Sequence, residues 1–255
     1  MIDSSTLDMF RRVTLTEAGH LVLPEMSRDL YDKCQKVLVK MGFKWDGRKS
    51  VRAHVMQGDL DPAAALAEMI ETGLIPNGNQ FAYWPSSSPL VDAVIDVAVQ
   101  LGAEFREILE PSAGEGAIVN VARQIPSVKA ITAVEVQSKR AAALRKIGGV
   151  GVIEFDFLRT VPTCTFDTIL MNPPFAVEGA PLAYVEHIEH AMQFLAPGGV
   201  LSTVVPAGFR FRADSKIAKL RAVIEQHSHV IEDFGSDAAG MKTGVYMLVV
   251  GMRKA

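Results

Sequence analysis

The feature that most restricts the fold of this chain is a pair of prolines at the end of an apolar run. Phe166-Asp167-Thr168-Ile169-Leu170-Met171 has the composition of a short strand, and Asn172-Pro173-Pro174-Phe175 follows it directly. Neither proline can donate to a sheet ladder and each fixes its own φ, so the strand has to stop at Met171. What remains is a rigid turn carrying one carboxamide, one backbone carbonyl and one aromatic ring. In an open α/β sheet that turn would lie at the carboxyl edge, where such sheets bind ligands. An ordinary proline-rich turn closed by asparagine explains the tetrapeptide equally well, so the flanking sequence has to decide.

The 255 residues suffice for one large α/β domain and a small appendage, and a hydrophobic share of 49% supplies a full core. No apolar run is long enough to span a bilayer. Met1-Ile2-Asp3-Ser4-Ser5 lacks the basic region and apolar core of a signal peptide. Cys34 and Cys164 stand far apart outside any CxxC pattern, which predicts free thiols in a reducing cytoplasm. A net charge of −3 argues against a uniformly basic coat but leaves room for a local basic face.

Residues 1–80 read as a small basic α+β module. Strand-like stretches flank a turn at Glu17-Ala18-Gly19, Ser27 caps a helix over about 28–41, and Gly42 ends it. Leu30, Cys34, Val37, Leu38 and Met41 share one face of that helix. Phe43–Trp45 and Ser50–Met56 are short strand candidates, and Asp61-Pro62 opens a second helix that Gly73 stops. Between Arg28 and His54, eight basic residues face three acidic ones, an excess of five positive charges. Trp45 lies within this strip, with Arg48, Lys49 and Arg52 close by. A basic strip with an embedded aromatic suits a phosphate backbone. A solvated helix face with Trp45 in the core is the better reading of any single residue; the strip as a whole favours nucleic acid.

A polar linker at 77–80 leads into Phe81-Ala82-Tyr83-Trp84-Pro85-Ser86-Ser87-Ser88-Pro89 and an apolar helix over about 90–101. From Phe105 strands and helices alternate. Strands are expected at 105–109, 130–134, 150–155, 166–171 and 200–205, with helices at 117–124, 138–147, 181–195 and 215–227, then strands at 230–234 and 245–251. Such alternation predicts a Rossmann-like α/β fold whose parallel sheet is covered on both faces. The final two strands, joined without a helix, should pair antiparallel.

Four of the strand ends carry chemistry. Glu110-Pro111-Ser112-Ala113-Gly114-Glu115-Gly116 is a strand-to-helix loop whose glycines let backbone approach a ligand closely, with helix-start amides that can serve a carboxylate or phosphate. A lone G-x-G is weak, and the third glycine of the dinucleotide fingerprint is missing. Glu135, with Val136 beside it, suits a ribose diol, because a carboxylate accepts from both hydroxyls. Asp156-Phe157 adds an acceptor for an exocyclic amine and a ring to pack an adenine. Asn172-Pro173-Pro174-Phe175 completes the series. A helix cap, a turn and a core ring would explain Glu135, Asp156 and Phe157 one by one; four such pieces in order at four strand ends are much harder to obtain by chance.

Taken in that order, residues 81–255 resemble the S-adenosylmethionine (SAM)-dependent N6-adenine DNA methyltransferases of the gamma arrangement. Glu110, Ser112, Gly114 and Gly116 match motif I, in a loop that includes Pro111 and Ala113. Glu135 matches the ribose-binding acid, Asp156 and Phe157 match motif III, and Asn172 through Phe175 match motif IV. Trp84-Pro85 resemble motif X, which lies against the methionine end of SAM. Gly42-Phe43-Lys44-Trp45 and Arg52-Ala53-His54-Val55 also look like what precedes such domains in phage- and plasmid-borne methyltransferases. The resemblance implies a seven-stranded SAM methyltransferase fold, SAM as cofactor, DNA as substrate and a cytoplasmic enzyme without an obligate protein partner. It also implies a chemistry: Asn172 Oδ1 and the Pro173 carbonyl accept the hydrogens of adenine N6, the nitrogen becomes tetrahedral, and Phe175 stacks on a base that has left the helix.

Other candidates are weaker. His187-x-x-His190 lacks a companion glutamate or cysteine pattern, and no metal site is expected. Ser86-Ser87-Ser88 reads as a loop or helix cap. Phe209-Arg210-Phe211-Arg212, after the fifth strand, could hold a nucleic-acid strand by stacking and phosphate contact, or could fold its aromatics inward. With no large segment after the seventh strand, short or relaxed sequence specificity is expected. The competing acceptors are an RNA base (guanine N2 or adenine N6) and protein glutamine, whose methyltransferases more often carry Tyr at the position of Phe175. A domain that only binds nucleic acid is a further alternative, disfavoured by an intact Asn172 and SAM loop.

Overall fold

The computed structural model describes residues 2–56, 61–76, 86–177, 179–235 and 247–255. They fall into two compact units, Met1–Phe81 and Ala82–Ala255.

The first unit comprises α1 (Ser4–Phe10), β1 (Thr14–Leu15), β2 (Leu21–Val22), α2 (Arg28–Lys40), β3 (Phe43–Asp46), β4 (Ala53–Met56) and α3 (Pro62–Thr72). Its sheet is antiparallel in the order β1-β2-β4-β3. Phe10, Leu21, Cys34, Leu38, Met41, Phe43 and Met69 form a common buried core. Helix α1 escaped the sequence reading. It is only seven residues long, and Asp3 sets it by accepting from the amide and hydroxyl of Thr6 at 3.0 and 2.9 Å. Asp61 caps α3 through the Ala64 amide, and Gly73 ends it at φ 68°.

The second unit runs α4 (Ser88–Gln100), β5 (Glu107–Glu110), α5 (Ala117–Ala122), β6 (Ala130–Glu135), α6 (Ser138–Leu144), β7 (Val150–Glu154), β8 (Phe166–Met171), α7 (Ala183–Ala191), β9 (Leu195–Pro206), α8 (Ser215–Glu225), β10 (Ser228–Gly235) and β11 (Met247–Arg253). Seven strands form one sheet in the order β10-β11-β9-β8-β5-β6-β7. β9, β8, β5, β6 and β7 are parallel, and β11 runs antiparallel to both β9 and β10, the arrangement expected for the last two strands.

Period-two alternation splits the sheet's side chains between two apolar layers. Ile169, Met171, Leu201, Val205, Leu248 and Val250 pack with α7 and α8. Leu170, Val200, Val204, Met247 and Val249 pack with α4, α5 and α6. Helix α4 lies so close that a Cβ on Gly251 would come within 2.5 Å of Val97 Cγ1. Strand β9 starts five residues earlier than expected. Gly198, at φ 73°, and a register shift opposite Phe166 and Thr168 let a bulged segment pair before the regular ladder begins. At the same amino end of the parallel strands, Asp167 accepts from the amides of Arg106 and Glu107 at 3.1 and 2.8 Å, fixing where β5 starts beside β8.

The topology reverses between β5 and β8. β5, β6 and β7 progress one way, and the chain then returns to add β8 on the other side of β5. In a doubly wound sheet this switch point opens a crevice at the carboxyl ends of the strands. The Glu110–Gly116 loop and the Asn172–Phe175 turn leave from the two strands that flank it.

Candidate functional site

Backbone hydrogen bonds fix the loop after β5. Gly114 at φ 56° and Gly116 at φ 83° occupy the left-handed region that favours glycine. The Ala113 amide donates to the Val134 carbonyl at 3.0 Å, and the Gly116 amide to the Ala113 carbonyl at 2.8 Å. The Gly114 amide donates to Glu135 Oε2 at 2.8 Å, tying the loop to the end of β6. Glu110, where β5 ends, is buried. Burial pushes its carboxyl well above the ordinary value, Glu135 adds to the rise, and the Val119 amide partly opposes it.

Glu135 is held by two amides, since Oε1 also accepts from Gln137 at 2.9 Å. Burial raises its pKa and the amides of Gln137, Gly114 and Val136 oppose the rise. Arg140, one turn into α6, places its guanidinium 4.0 Å from the same oxygen, with both side chains buried. Burial lowers the Arg140 pKa to about 10. The sequence reading missed Arg140, because an arginine directly after Ser138 and Lys139 at the start of a helix looks like a solvated one. Val136, by contrast, is 42% exposed beside the carboxylate.

The third strand end departs from expectation in one respect. Asp156 caps a single 3-10 turn, Phe157–Arg159, by accepting from the Leu158 amide at 3.0 Å. Phe157 is a core side chain, only 4% exposed, with its ring edge-on to His190 at 4.8 Å and tilted against Phe194 at 5.4 Å. Its face is spent on the α7 layer, so the expected packing of an adenine on Phe157 is corrected. His187 and His190 are accounted for in the same cluster. His187 Nδ1 donates to the Ala183 carbonyl, and His190 Nε2 lies 3.4 Å from the Thr160 hydroxyl.

At the end of β8, Asn172 Nδ2 donates to Ser86 Oγ at 3.0 Å. This contact spans 86 residues of sequence and commits the amide nitrogen, so Oδ1 is the end of the carboxamide left to accept from something else. Among the described residues Oδ1 has no donor. Pro173 is buried, and Pro174 and Phe175 are half-buried. The Phe175 ring meets Tyr184 edge-on at 6.4 Å. Trp84 and Pro85, expected beside the cofactor, lie outside the described residues.

The sequence profile of the family described as "Methyltransferase small domain" matches residues 95–234, more than half of the chain and all of the strand ends just described. The chain belongs to that family. It is a SAM-dependent methyltransferase with the seven-stranded mixed sheet of the class I enzymes. A protein of Listeria monocytogenes assigned as a class I SAM-dependent methyltransferase shares the fold with a TM-score of 0.57 at 14% identity, over 98% of this chain and 79% of that one. The methyltransferase subunit of a type I restriction-modification system from Streptococcus thermophilus gives 0.54 at 16% identity, over 76% of this chain. Only 48% of that subunit is covered, so this chain corresponds to about half its length. A Pyrococcus horikoshii protein assigned as an RNA methyltransferase gives 0.54 at 16%, over 69% and 89%. No curated protein matches the sequence.

The methyltransferase offers a donor-seeking lining that suits SAM. Glu110 Oε2 and Gln137 Oε1 are buried acceptors with no partner among the described residues. SAM carries donors of the kind they lack, an α-amino group, ribose hydroxyls and an adenine amine.

The other predicted contacts separate into two groups. Phe209, in the 3-10 turn Ala207–Arg210 after β9, is fully buried in the α7–α8 layer, which corrects its expected stacking on nucleic acid. The Arg221 guanidinium holds the turn by donating to the carbonyls of Phe209 and Arg212. Arg210 pairs with Asp233 at 3.0 Å, and Arg212 is exposed. The exposed ring of this segment is Phe211, at 76%. Arg48, Lys49 and Arg52 are exposed on the first unit. No helix among the described residues is long and apolar enough to cross a membrane.

Proposed function

We propose that this methyltransferase acts on the N6 amino group of adenine in DNA. The observation that carries the reading is the anchored carboxamide of Asn172 at the switch point, with Nδ2 engaged by Ser86. The nitrogen of an exocyclic amine is a poor nucleophile because its lone pair is delocalised into the ring. Asn172 Oδ1 and the Pro173 carbonyl accept its two hydrogens, draw the nitrogen toward tetrahedral geometry and release the lone pair for attack. Acceptors fixed beforehand gain strength as positive charge develops on the nitrogen, and no strong base is needed before the attack. Phe175 stacks on the target base, which leaves the duplex to reach the turn.

SAM, when bound, would supply the methyl group, its S–CH3 bond breaking as the N–CH3 bond forms, and the nitrogen would then release to solvent one of the two protons that Asn172 Oδ1 and the Pro173 carbonyl hold. In this reading the loop at Pro111–Gly116 approaches it through backbone, with Ser112 and the Gly114 turn nearest. Glu135 keeps acceptor capacity beyond its two amide bonds for the ribose hydroxyls, Val136 offers apolar surface to the adenine ring, and Glu110 offers its unpartnered oxygen. Asp156 accepts from the cofactor's exocyclic amine through the capacity its cap bond leaves. Residues 82–255 make up the transfer domain, and the basic strip between Arg28 and His54 favours nucleic acid over protein as the acceptor. The likeness in fold to a restriction-modification subunit agrees with DNA, and the likeness to an RNA methyltransferase names the nearest competitor.

The test is transfer from labelled SAM into unmethylated DNA, RNA and a protein extract, followed by mass spectrometry of the nucleosides. N6-methyladenine in DNA is expected. Label confined to RNA or protein would retain the enzyme class and overturn the substrate.

A further inference from the structure

Tyr31, His54 and Trp45 form an aromatic row on the first unit. Trp45 on β3 and His54 on β4 are direct cross-strand partners, with rings edge-to-face at 5.0 Å. Tyr31 on α2 lies 6.5 Å from the same imidazole. His54 is fully buried and donates from Nε2 to Gln35 Oε1 at 2.7 Å, one helical turn beyond Tyr31. The two outer rings are open: Trp45 is 46% exposed and Tyr31 36%.

Trp45 is out of place for a core residue. Strand alternation puts it on the same face as Phe43, which is 2% exposed and packed in the core. Yet the indole keeps nearly half of its surface in water. His54 packs against it with the two ring planes inclined at 61°, and Gly47 lies so near that a Cβ there would come within 3.3 Å of the indole nitrogen. A large ring fixed in orientation loses little conformational freedom when a flat partner stacks on it.

The turn that follows β3 supplies the charge. Arg48 is committed to Asp46, but Lys49 and Arg52 have no carboxylate partner among the described residues. Arg52 is held at φ 44°, in the region L side chains rarely adopt, by a turn in which the Val51 and Arg52 amides both donate to the Arg48 carbonyl. A residue kept there against its preference marks a segment whose shape matters.

We propose that this surface binds an unpaired stretch of nucleic acid, with a base stacked on Trp45 beside Tyr31 and flanking phosphates on Lys49 and Arg52. The occupant follows from the pairing of an exposed ring, packed on His54, with cations that have no carboxylate partner among the described residues, in a strip carrying five excess positive charges. A duplex keeps its base faces in the stack and offers such a ring nothing but its backbone. The proposal shares with the proposed function only the nucleic-acid partner and requires no methyl transfer.

Fluorescence anisotropy of labelled 20-nucleotide oligomers on the full chain, without SAM, tests it. The arms are single-stranded DNA, single-stranded RNA and a blunt duplex. Trp45→Ala should weaken single-strand binding about tenfold or more and duplex binding by less than about twofold. Trp45→Phe, which keeps a ring, should recover most of the loss and controls for folding. Lys49→Ala should instead lower the salt dependence of binding, by about 0.7 in the log–log slope for a single strand. Equal binding of DNA and RNA, or a preference for either, supports the stacking surface and identifies its source. Unchanged single-strand affinity in Trp45→Ala, or an equal loss on the duplex, overturns it. If transfer to DNA fails while Trp45-dependent binding persists, the proposed reaction falls and this surface stands.

Discussion

Replacing Gly116 with alanine tests how closely the candidate cofactor loop is packed against the helix behind it. Two penalties combine at this position. The residue sits at φ 83°, where an L side chain costs roughly 1–2 kcal/mol. Its new Cβ would also lie 2.8 Å from Leu144 Cδ2 and 2.9 Å from Ile147 Cδ1. Leu144 is fully buried and cannot swing aside without disturbing the core, so overpacking adds roughly 1–3 kcal/mol. Gly149 isolates the first penalty, because it sits at φ 79° with nothing within 4 Å of a Cβ. In urea unfolding followed by circular dichroism, Gly149→Ala should lose about 1–2 kcal/mol and Gly116→Ala at least about 1 kcal/mol more. SAM affinity by calorimetry should fall only in Gly116→Ala, because relief of the clash shifts the loop that carries the Gly114–Glu135 bond. Equal losses from the two variants would refute the packing argument.

Ser86→Ala removes the bond that orients the Asn172 carboxamide. A neutral hydrogen bond of about 1 kcal/mol corresponds to a fall of about fivefold in kcat, with the KM for SAM unchanged and activity recovered in Ser86→Thr. An unchanged kcat would mean that Asn172 is oriented by something else. Glu110→Gln addresses the buried carboxyl. Burial raises its folded pKa above the ordinary 4.5, so the stability it contributes is complete below that pH and is lost as pH rises through the folded value. Wild type should therefore lose stability relative to Glu110→Gln as pH increases from about 4.5, and a difference independent of pH would contradict the assignment.

What the sequence disclosed and what it withheld have physical causes. Asn172, Gly114, Gly116 and Glu135 were legible because each ends a strand or starts a turn, where residue type is dictated by backbone geometry and by what faces the edge. The β8 boundaries were legible for the same reason, since Pro173 and Pro174 allow no continuation. Phe157 and Phe209 were misread because an aromatic next to a motif looks the same whether its ring faces a ligand or the α7–α8 layer; only tertiary packing distinguishes them. Ser86 and Arg140 were missed as partners of Asn172 and Glu135. One contact spans β5, β6, β7 and β8 in sequence, and the other depends on an arginine being buried next to an exposed lysine. Trp45 taken singly read as a core residue, yet it is 46% exposed, because its packing against His54 across the strands is tertiary and no periodicity reveals it.

The central claim is that the carboxamide of Asn172 acts on the acceptor nitrogen and not on cofactor binding. The most direct measurement pairs SAM affinity by calorimetry with single-turnover transfer to DNA for wild type and Asn172→Ala. The account predicts a SAM affinity within about twofold of wild type and a transfer rate at least about 100-fold lower, the size expected when a preorganised acceptor for developing charge is removed. A transfer rate close to wild type, or a loss explained entirely by weaker SAM binding, would contradict it.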